Sequence, residues 1–321
     1  MNGSAHFERG PGPVSAPGRL RSPLIYFGGK QTLAPRIARL LPEHGHYVEP
    51  FAGALGVLLA KPVSGHETVN DLDGDLMCFW RVLREQPDQL ARLCALTPHS
   101  REEHQLAYHR PGGLAELERA RRVWVCLTQG RGATLLPTGW RHYVAPRGTT
   151  GMPDYLAGYV GRMAGVARRL AGVSLECRPA VEVIERYGAH PGVLIYADPP
   201  YLGAARGPEG GSGERTRRYR HELLGAGEHR ELVEQLRDCA AAVVLSGYPS
   251  ALYDEFLTDW DRVEFTTGTG QNARGLWSQR TEVLWSNRPL RPLAETHADL
   301  FTVTGSPPAS PTHQLRAEVT R

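Results

Sequence analysis

The chain has 321 residues, 37 basic against 34 acidic, a formal net charge of +3, and 22% charged and 41% hydrophobic residues. Those proportions are ordinary for a water-soluble globular protein. No apolar run approaches the ~20 residues of a membrane helix, and the first 20 residues lack the apolar centre of a secretory signal. Cysteines at 78, 94, 126, 177 and 239 are an odd, scattered set without a Cys-x-x-Cys pair. This argues against a disulfide framework and a structural zinc site, and the expectation is a reduced, cytoplasmic protein of about two domains. Only Lys30 and Lys61 are lysines, the other 35 basic residues being arginine. A GC-rich genome, which favours arginine codons, accounts for that bias as well as phosphate and base recognition by guanidinium groups does, so a nucleic-acid partner has to be argued from local clusters.

Residues 1–19 are rich in Gly, Pro and Ser and read as a disordered arm. Tyr26-Phe27-Gly28-Gly29-Lys30 follows, opening a helix at Gln31. A strand at Tyr47–Glu49 runs into Glu49-Pro50-Phe51-Ala52-Gly53-Ala54-Leu55-Gly56, a glycine-containing turn into a helix. A second strand, Thr68–Asn70, ends in Asn70-Asp71-Leu72-Asp73. Residues 87–170 read as helix, with Leu114, Leu117, Ala120, Trp124 and Leu127 at spacings of three and four, as are Tyr155, Tyr159, Met163, Val166 and Leu170. The most apolar run, Val193–Ala197, reads as a buried strand and leads into Asp198-Pro199-Pro200-Tyr201, and Val243–Ser246 supplies a further strand. Residues 289–321, with prolines at 289, 292, 307, 308 and 311, read as a loose tail. Strands alternating with amphipathic helices give an α/β fold. Its core is expected at 20–92 and 168–288, interrupted by a mostly helical insert at 93–167.

Four polar segments therefore fall at strand or loop ends, where open α/β sheets bind ligands. A glycine turn after the first strand lets backbone approach a nucleotide, and an acid about 20 residues later accepts ribose hydroxyls. The pair is common to many nucleotide folds, and no Gly-x-x-x-x-Gly-Lys-Ser/Thr loop suggests ATP hydrolysis. Asp198-Pro199-Pro200-Tyr201 is more specific. Two prolines stop a buried strand rigidly and leave a carboxylate, carbonyls and an aromatic face at one mouth. That set suits methylation of an exocyclic amine. Its N–H groups would bond the Asp198 carboxylate and the Pro199 carbonyl while Tyr201 stacks on a flipped base, so that positioning and electrostatics carry the reaction.

The ordered series Tyr26–Lys30, Val48–Gly53, Asn70–Leu76 and Asp198–Tyr201 resembles the D12 class of Dam-like, α-group DNA adenine-N6 methyltransferases. The likeness runs over roughly residues 22–287 and is closest to single-subunit phage and prophage methylases. Tyr219–Glu222, Val244–Tyr248 with Leu252-Tyr253, and a closing strand at Gln279–Trp285 fit the same group. The resemblance implies a Rossmann-like S-adenosylmethionine-dependent methyltransferase core, S-adenosyl-L-methionine as donor and double-stranded DNA as partner. It implies neither an obligate protein partner nor a membrane, and a monomer. Tyr26, Gly29, Lys30, Glu49, Phe51, Gly53, Asp71 and Asp198 would form the donor site, and Asp198, Pro199 and Tyr201 the catalytic one. The alternatives are a DNA cytosine-N4 methyltransferase and a non-catalytic relative that binds donor or DNA. Two departures bear on these: Leu55 would crowd the donor if it points inward, and Cys177-Arg178-Pro179-Ala180 replaces an Asp-Phe pair, for which Glu176 is the substitute.

The insert is expected to read the target. Its loop-like stretches Gln129–Gly132 and Thr138–Tyr143 mix arginine with aromatics, and Arg131, Trp140 and Arg141 are the candidates for phosphate contact, base stacking and groove reading. Arg215, Arg217, Arg218, Tyr219 and Arg220, after the glycine-rich 207–213 stretch, form a second candidate cluster, a mobile loop closing over the flipped base. His44 and His46, and His99, His104 and His109, have no metal-ligand pattern. They read as surface and helix-end residues, and no metal is expected.

Overall fold

The computed structural model describes residues 20–142, 151–201, 220, 225–271 and 277–290. The chain divides into two units, Met1–Arg291 and Pro292–Arg321; the second, with the 1–19 arm, lies outside the described residues. In chain order the first unit contains α1 (Ala34–Leu40), β1 (His46–Glu49), α2 (Gly56–Ala60), β2 (His66–Asn70), α3 (Gly74–Glu85), α4 (Pro87–Leu96), α5 (Arg101–Leu106) and α6 (Glu116–Gln129). There follow α7 (Met152–Val160), α8 (Met163–Leu170), β3 (Ser174–Glu176), α9 (Ala180–Gly188), β4 (Val193–Ala197) and α10 (Ala226–Arg237). The last elements are β5 (Ala242–Gly247), α11 (Ala251–Phe256), β6 (Asp261–Gln271) and β7 (Trp277–Ser286).

The strands form one seven-stranded sheet in the order β3-β2-β1-β4-β5-β7-β6. All neighbouring pairs from β3 to β5 are parallel, and β7 runs antiparallel to both β5 and β6. Parallel strands carry helices on both faces, so their residues are buried on both sides. Every residue of β4 and β5 is buried, and this is why both read as apolar runs. Val48, Ile195, Val243 and Leu245 of the sheet share a core with Val183 and Ile184 of α9 and Leu232, Val233 and Leu236 of α10. Each such side chain contributes roughly 1.5–3 kcal/mol by burial. The strand order reverses between β1 and β4, the switch point at which such sheets hold ligands.

Local sequence explains several boundaries. The helix expected at Gln31 begins at Ala34, with Pro35 in its first turn, where a missing N–H costs nothing. The side chain of Gln31 instead donates to the Leu24 carbonyl at 3.1 Å. The apolar series from Tyr155 to Leu170 is split into α7 and α8 at Gly161–Arg162, although the spacing of its apolar residues continues across the break. Asp73 caps α3, its carboxylate accepting from the backbone of Asp75 and Leu76. The expected insert boundaries at 92/93 and 167/168 fall inside α4 and α8. Helix α6 packs on α3, and α4 on α8, so the inserted helices share packing with the core.

Candidate active site

A cavity of about 340 Å³ lies at the switch point, large enough for most of a nucleoside-sized ligand. Tyr26, Gly29 and Lys30 line it from the first loop, and Glu49, Phe51 and Gly53 from the end of β1. Asp71 comes from the end of β2, and Asp198 and Tyr201 from the end of β4. The structure thus brings together every expected donor residue. Of the expected catalytic group, Asp198 and Tyr201 line the cavity, whereas Pro199 is buried and its neighbour Pro200 lines it.

The glycines are where the backbone has to come close. A Cβ on Gly29 would stand 2.9 Å from the Tyr26 carbonyl oxygen. Gly53 has φ +46° and a Cβ there would meet the Tyr26 ring at 3.3 Å. Three hydrogen bonds hold the Gly53 turn. The Gly53 N–H donates to Asp71 Oδ2 at 3.0 Å, the Trp80 indole donates to the Gly53 carbonyl at 3.1 Å, and Ala52 N–H donates to the Asn70 carbonyl at 2.7 Å. Leu55 adopts a left-handed conformation at φ 58°, a strain of about 1 kcal/mol for a residue with a Cβ. It is fully buried and absent from the cavity lining, which passes from Ala54 to Gly56. Burial of the leucine offsets the strain, and the donor space is not crowded.

The corner around Asp198 is a network of four side chains. Lys30 Nζ donates to Asp198 Oδ1 at 2.9 Å and to the Gly28 carbonyl at 2.9 Å, and it stands 4.5 Å above the centre of the Tyr201 ring. The Tyr201 hydroxyl donates to Glu282 Oε2 at 2.7 Å, and its ring packs edge-on against Tyr248. Burial pushes the Asp198 carboxyl up from its usual range, and the Lys30 ammonium pulls it back. Burial holds the Tyr201 phenol protonated. Glu49 is buried beside Tyr47, whose hydroxyl donates to it at 3.0 Å, and burial pushes its carboxyl up to about 8.

Sequence reasoning missed several contributors. Asn70, fully buried, donates to the Pro50 and Arg178 carbonyls at 2.9 and 3.0 Å and accepts from Arg178 N–H at 2.8 Å. This clamp fixes the segment in which Pro179, Ala180 and Val181 line the cavity. Glu176 does not take the place of the missing acid: it accepts from the Tyr187 hydroxyl at 2.6 Å and does not line the cavity. Leu72 and Val181, exposed apolar side chains at the same cavity, were also not foreseen. Glu282 lies on the expected closing strand, but its pairing with Tyr201 spans 81 residues and has no local signal.

On the insert side, Arg131 and Trp140 lie on a short hairpin closed by a bridge between Gly130 and Trp140, and Arg141 follows it. Arg131 is exposed. Trp140, expected to stack on a base, stacks on His99 at 4.3 Å and on His142 at 5.3 Å, with the Arg101 guanidinium over its ring. Its ring surface is thus shared with three partners of its own chain. Arg141 lies over the Tyr155 ring. His104, expected at the surface, is buried, its ring 2.9 Å from the Tyr108 hydroxyl. Arg220 is turned inward from the expected basic cluster, donating to Asp73 at 2.7 Å and to Asp75 at 2.8 Å. Arg215, Arg217, Arg218, Tyr219 and the 207–213 stretch lie outside the described residues.

The residues present fit S-adenosylmethionine. Leu72, Pro179 and Val181 offer apolar surface for an adenine ring, and the glycine turn gives room where a Cβ would intrude. A largely parallel, seven-stranded sheet with this pocket at its switch point fits an S-adenosylmethionine-dependent methyltransferase. The model of the D12 class N6 adenine-specific DNA methyltransferases matches residues 26–120. The Type II methyltransferase M1.LlaDCHI of Lactococcus lactis subsp. cremoris is 26% identical over 277 residues, 81% of this chain and 93% of that protein. The chain is thus similar to adenine-specific DNA methyltransferases of the D12 class over that stretch and to a Type II methyltransferase over most of its length. Among solved structures, a SAM-dependent methyltransferase from Agrobacterium tumefaciens matches with TM-score 0.36 and 11% identity, covering 79% of this chain and 60% of that one. A precorrin-6y C5,15-methyltransferase from Geobacter metallireducens GS-15 matches with TM-score 0.32 and 12% identity, covering 80% and 85%. No helix among the described residues is long and apolar enough to cross a membrane.

Proposed function

We propose that the protein methylates N6 of an adenine flipped out of double-stranded DNA at a specific sequence, acting as a cytoplasmic monomer without an obligate protein partner. The observation that carries this reading is the Lys30–Asp198 pair beside the Tyr201 ring at the mouth of the donor cavity. Adenine N6 is a poor nucleophile because its lone pair is delocalised into the ring. A carboxylate accepting one N–H, with the Pro199 carbonyl taking the other, favours a pyramidal nitrogen whose lone pair is free. The bound donor supplies the electrophilic methyl group on its sulfonium. The remaining work is positional. Tyr201, steadied by Glu282, presents a face for the base, Lys30 keeps Asp198 ionised, and Asp71 and the Gly53 turn hold the donor's ribose side. Unstacking the target costs a few kcal/mol, which contacts from the insert and from Arg215, Arg217, Arg218 and Tyr219 offset.

The experiment is transfer from isotopically labelled S-adenosylmethionine to unmethylated DNA, followed by nucleoside mass spectrometry. Labelled N6-methyladenine, absent with Asp198→Ala, is the expected result. Labelled N4-methylcytosine would change the base and keep the site, and donor binding without label in DNA would overturn the catalytic reading.

A further inference from the structure

One arginine of the second basic cluster belongs to the lining of the donor cavity. Arg220 lines it together with Asp71, Leu72 and Asp73 from the end of β2. Its guanidinium grips Asp73 with two donors, Nε to Oδ2 at 2.7 Å and Nη2 to Oδ1, while Nη1 reaches Asp75 Oδ2 at 2.8 Å. Both carboxylates are buried, at 4% and 8% side-chain exposure, and the arginine is 29% exposed.

The two acids are themselves anchors. Asp73 Oδ1 caps α3 by accepting from the N–H groups of Asp75 and Leu76, and the Asp73 N–H donates to Asp71 Oδ1 at 2.9 Å. Asp71 in turn pins the Gly53 turn through Oδ2. From the other side, Arg110 Nε donates to Asp75 Oδ2 at 2.8 Å, and Arg119 Nε stands 2.9 Å from Asp75 Oδ1. The series Arg220–Asp73–Asp71–Gly53 therefore runs along the ribose side of the cavity. This arrangement suits a DNA phosphate poorly. A guanidinium has five N–H donors, and three of them are committed to carboxylates. A phosphate at the remainder would lie close to two like charges of low exposure. Moving Arg220 to a phosphate would leave Asp73 as a buried carboxylate without its cation, which is costly.

We infer that Arg220 is a positioning residue for the donor: by bridging Asp73 and Asp75 it fixes the Asp71–Asp73 rim against which the adenosine part of S-adenosylmethionine is held. The bridge needs a fork, because two carboxylates on successive turns of backbone are joined by one side chain. This inference rests on the methyltransferase reading above and takes Arg220 out of the DNA-contacting set that its neighbours in sequence suggest.

The test compares Arg220→Ala and Arg220→Lys with the wild-type chain. It measures the Kd for S-adenosylhomocysteine without DNA, the KM for S-adenosylmethionine, kcat, and the salt slope of duplex binding. Arg220→Ala is expected to raise that Kd and the KM by about tenfold or more, with kcat at saturating donor within about threefold and the salt slope unchanged. Lysine brings one point charge where a fork joined two carboxylates. Arg220→Lys is expected to recover only part of the loss, and it decides the matter should the alanine variant not fold. A cycle with Asp73→Asn, which keeps an acceptor for the cap, isolates the pair: the double variant is expected to bind donor no more weakly than the weaker single variant. An unchanged Kd in the alanine variant, a lysine variant equal to wild type, or additive losses in the cycle would overturn the role. So would a salt slope that falls by about 1 with donor binding intact, which would return Arg220 to the phosphate contacts. Wild-type protein separates the two readings. Failure of wild type to bind S-adenosylhomocysteine defeats the donor site itself, whereas equal binding by wild type and Arg220→Ala defeats only the role of Arg220.

Discussion

Lys30 Nζ lies 2.9 Å from Asp198 Oδ1, joining two residues 168 positions apart with both side chains largely shielded from water. In the proposed reaction Asp198 accepts a hydrogen bond from the target amine, so its ionised form would be the working one. Burial raises its pKa and Lys30 opposes the rise. Removing the ammonium leaves a buried carboxylate without its cation, a change worth about 3–5 kcal/mol in such pairs. Lys30→Met is therefore expected to lower methyl transfer at neutral pH by about a hundredfold or more and to move the acid limb of the kcat profile to higher pH. Activity that partly returns as the pH is raised is the signature, and an unmoved limb would contradict it.

Glu49 gives a stability prediction. Its folded pKa of about 8 lies above the ~4.3 of an unfolded glutamate, so the folded state keeps a proton that the unfolded state releases. The stability this contributes is complete below about pH 4 and is lost as pH rises to about 8. Glu49→Gln removes that loss. In the donor-free protein the variant should exceed wild type by roughly 3–5 kcal/mol at pH 8 and by only about 1 kcal/mol at pH 5. Urea midpoints at the two pH values check it, and a pH-independent difference would count against the buried proton.

The Asp71–Gly53 contact concerns the donor. Asp71 Oδ2 accepts from Gly53 N–H at 3.0 Å and Oδ1 from Asp73 N–H at 2.9 Å, so one carboxylate pins the turn and shapes the end of β2. Asp71→Ala removes charge-assisted bonds of about 1.5–3 kcal/mol and is expected to weaken donor binding by roughly ten- to a hundredfold. Calorimetry with S-adenosylhomocysteine measures this, and an unchanged Kd would remove Asp71 from the donor site.

On the DNA side, Arg131→Ala with Arg141→Ala is expected to weaken duplex binding. The slope of log affinity against log salt should fall by about 1 for each arginine–phosphate ion pair removed. The same measurement on Arg217→Ala with Arg218→Ala tests the second cluster. An unchanged salt slope in both would locate the DNA-binding surface elsewhere.

The parallel strands were legible because burial on two faces leaves short apolar runs, as in Val193–Ala197, and because each ends in a residue type that such a run excludes. Strand β3 escaped notice at three residues, only partly buried. The long β6 did so because its sequence is polar and its place is set by pairing with β7. The motifs that line the cavity were equally legible, since glycine turns and strand-end acids are local. The pairing of Tyr201 with Glu282 joins side chains from the ends of different strands and has no spacing to betray it. Arg220 illustrates the limit in reverse. Its neighbours in sequence suggested phosphate, and its neighbours in space are two carboxylates.

The Phe27 N–H donates to the Ala133 carbonyl at 2.7 Å, so the loop carrying Tyr26 and Lys30 is bonded, main chain to main chain, to the hairpin carrying Arg131 and Trp140. Exchanging the insert with that of a relative, the test of whether it sets the methylated sequence, therefore has to keep this seam. A chimera whose hairpin follows a different backbone path loses this bond and disturbs the donor loop with it. One that carries both sides of the seam is expected to keep the pocket intact, and a changed methylated sequence would then belong to the insert.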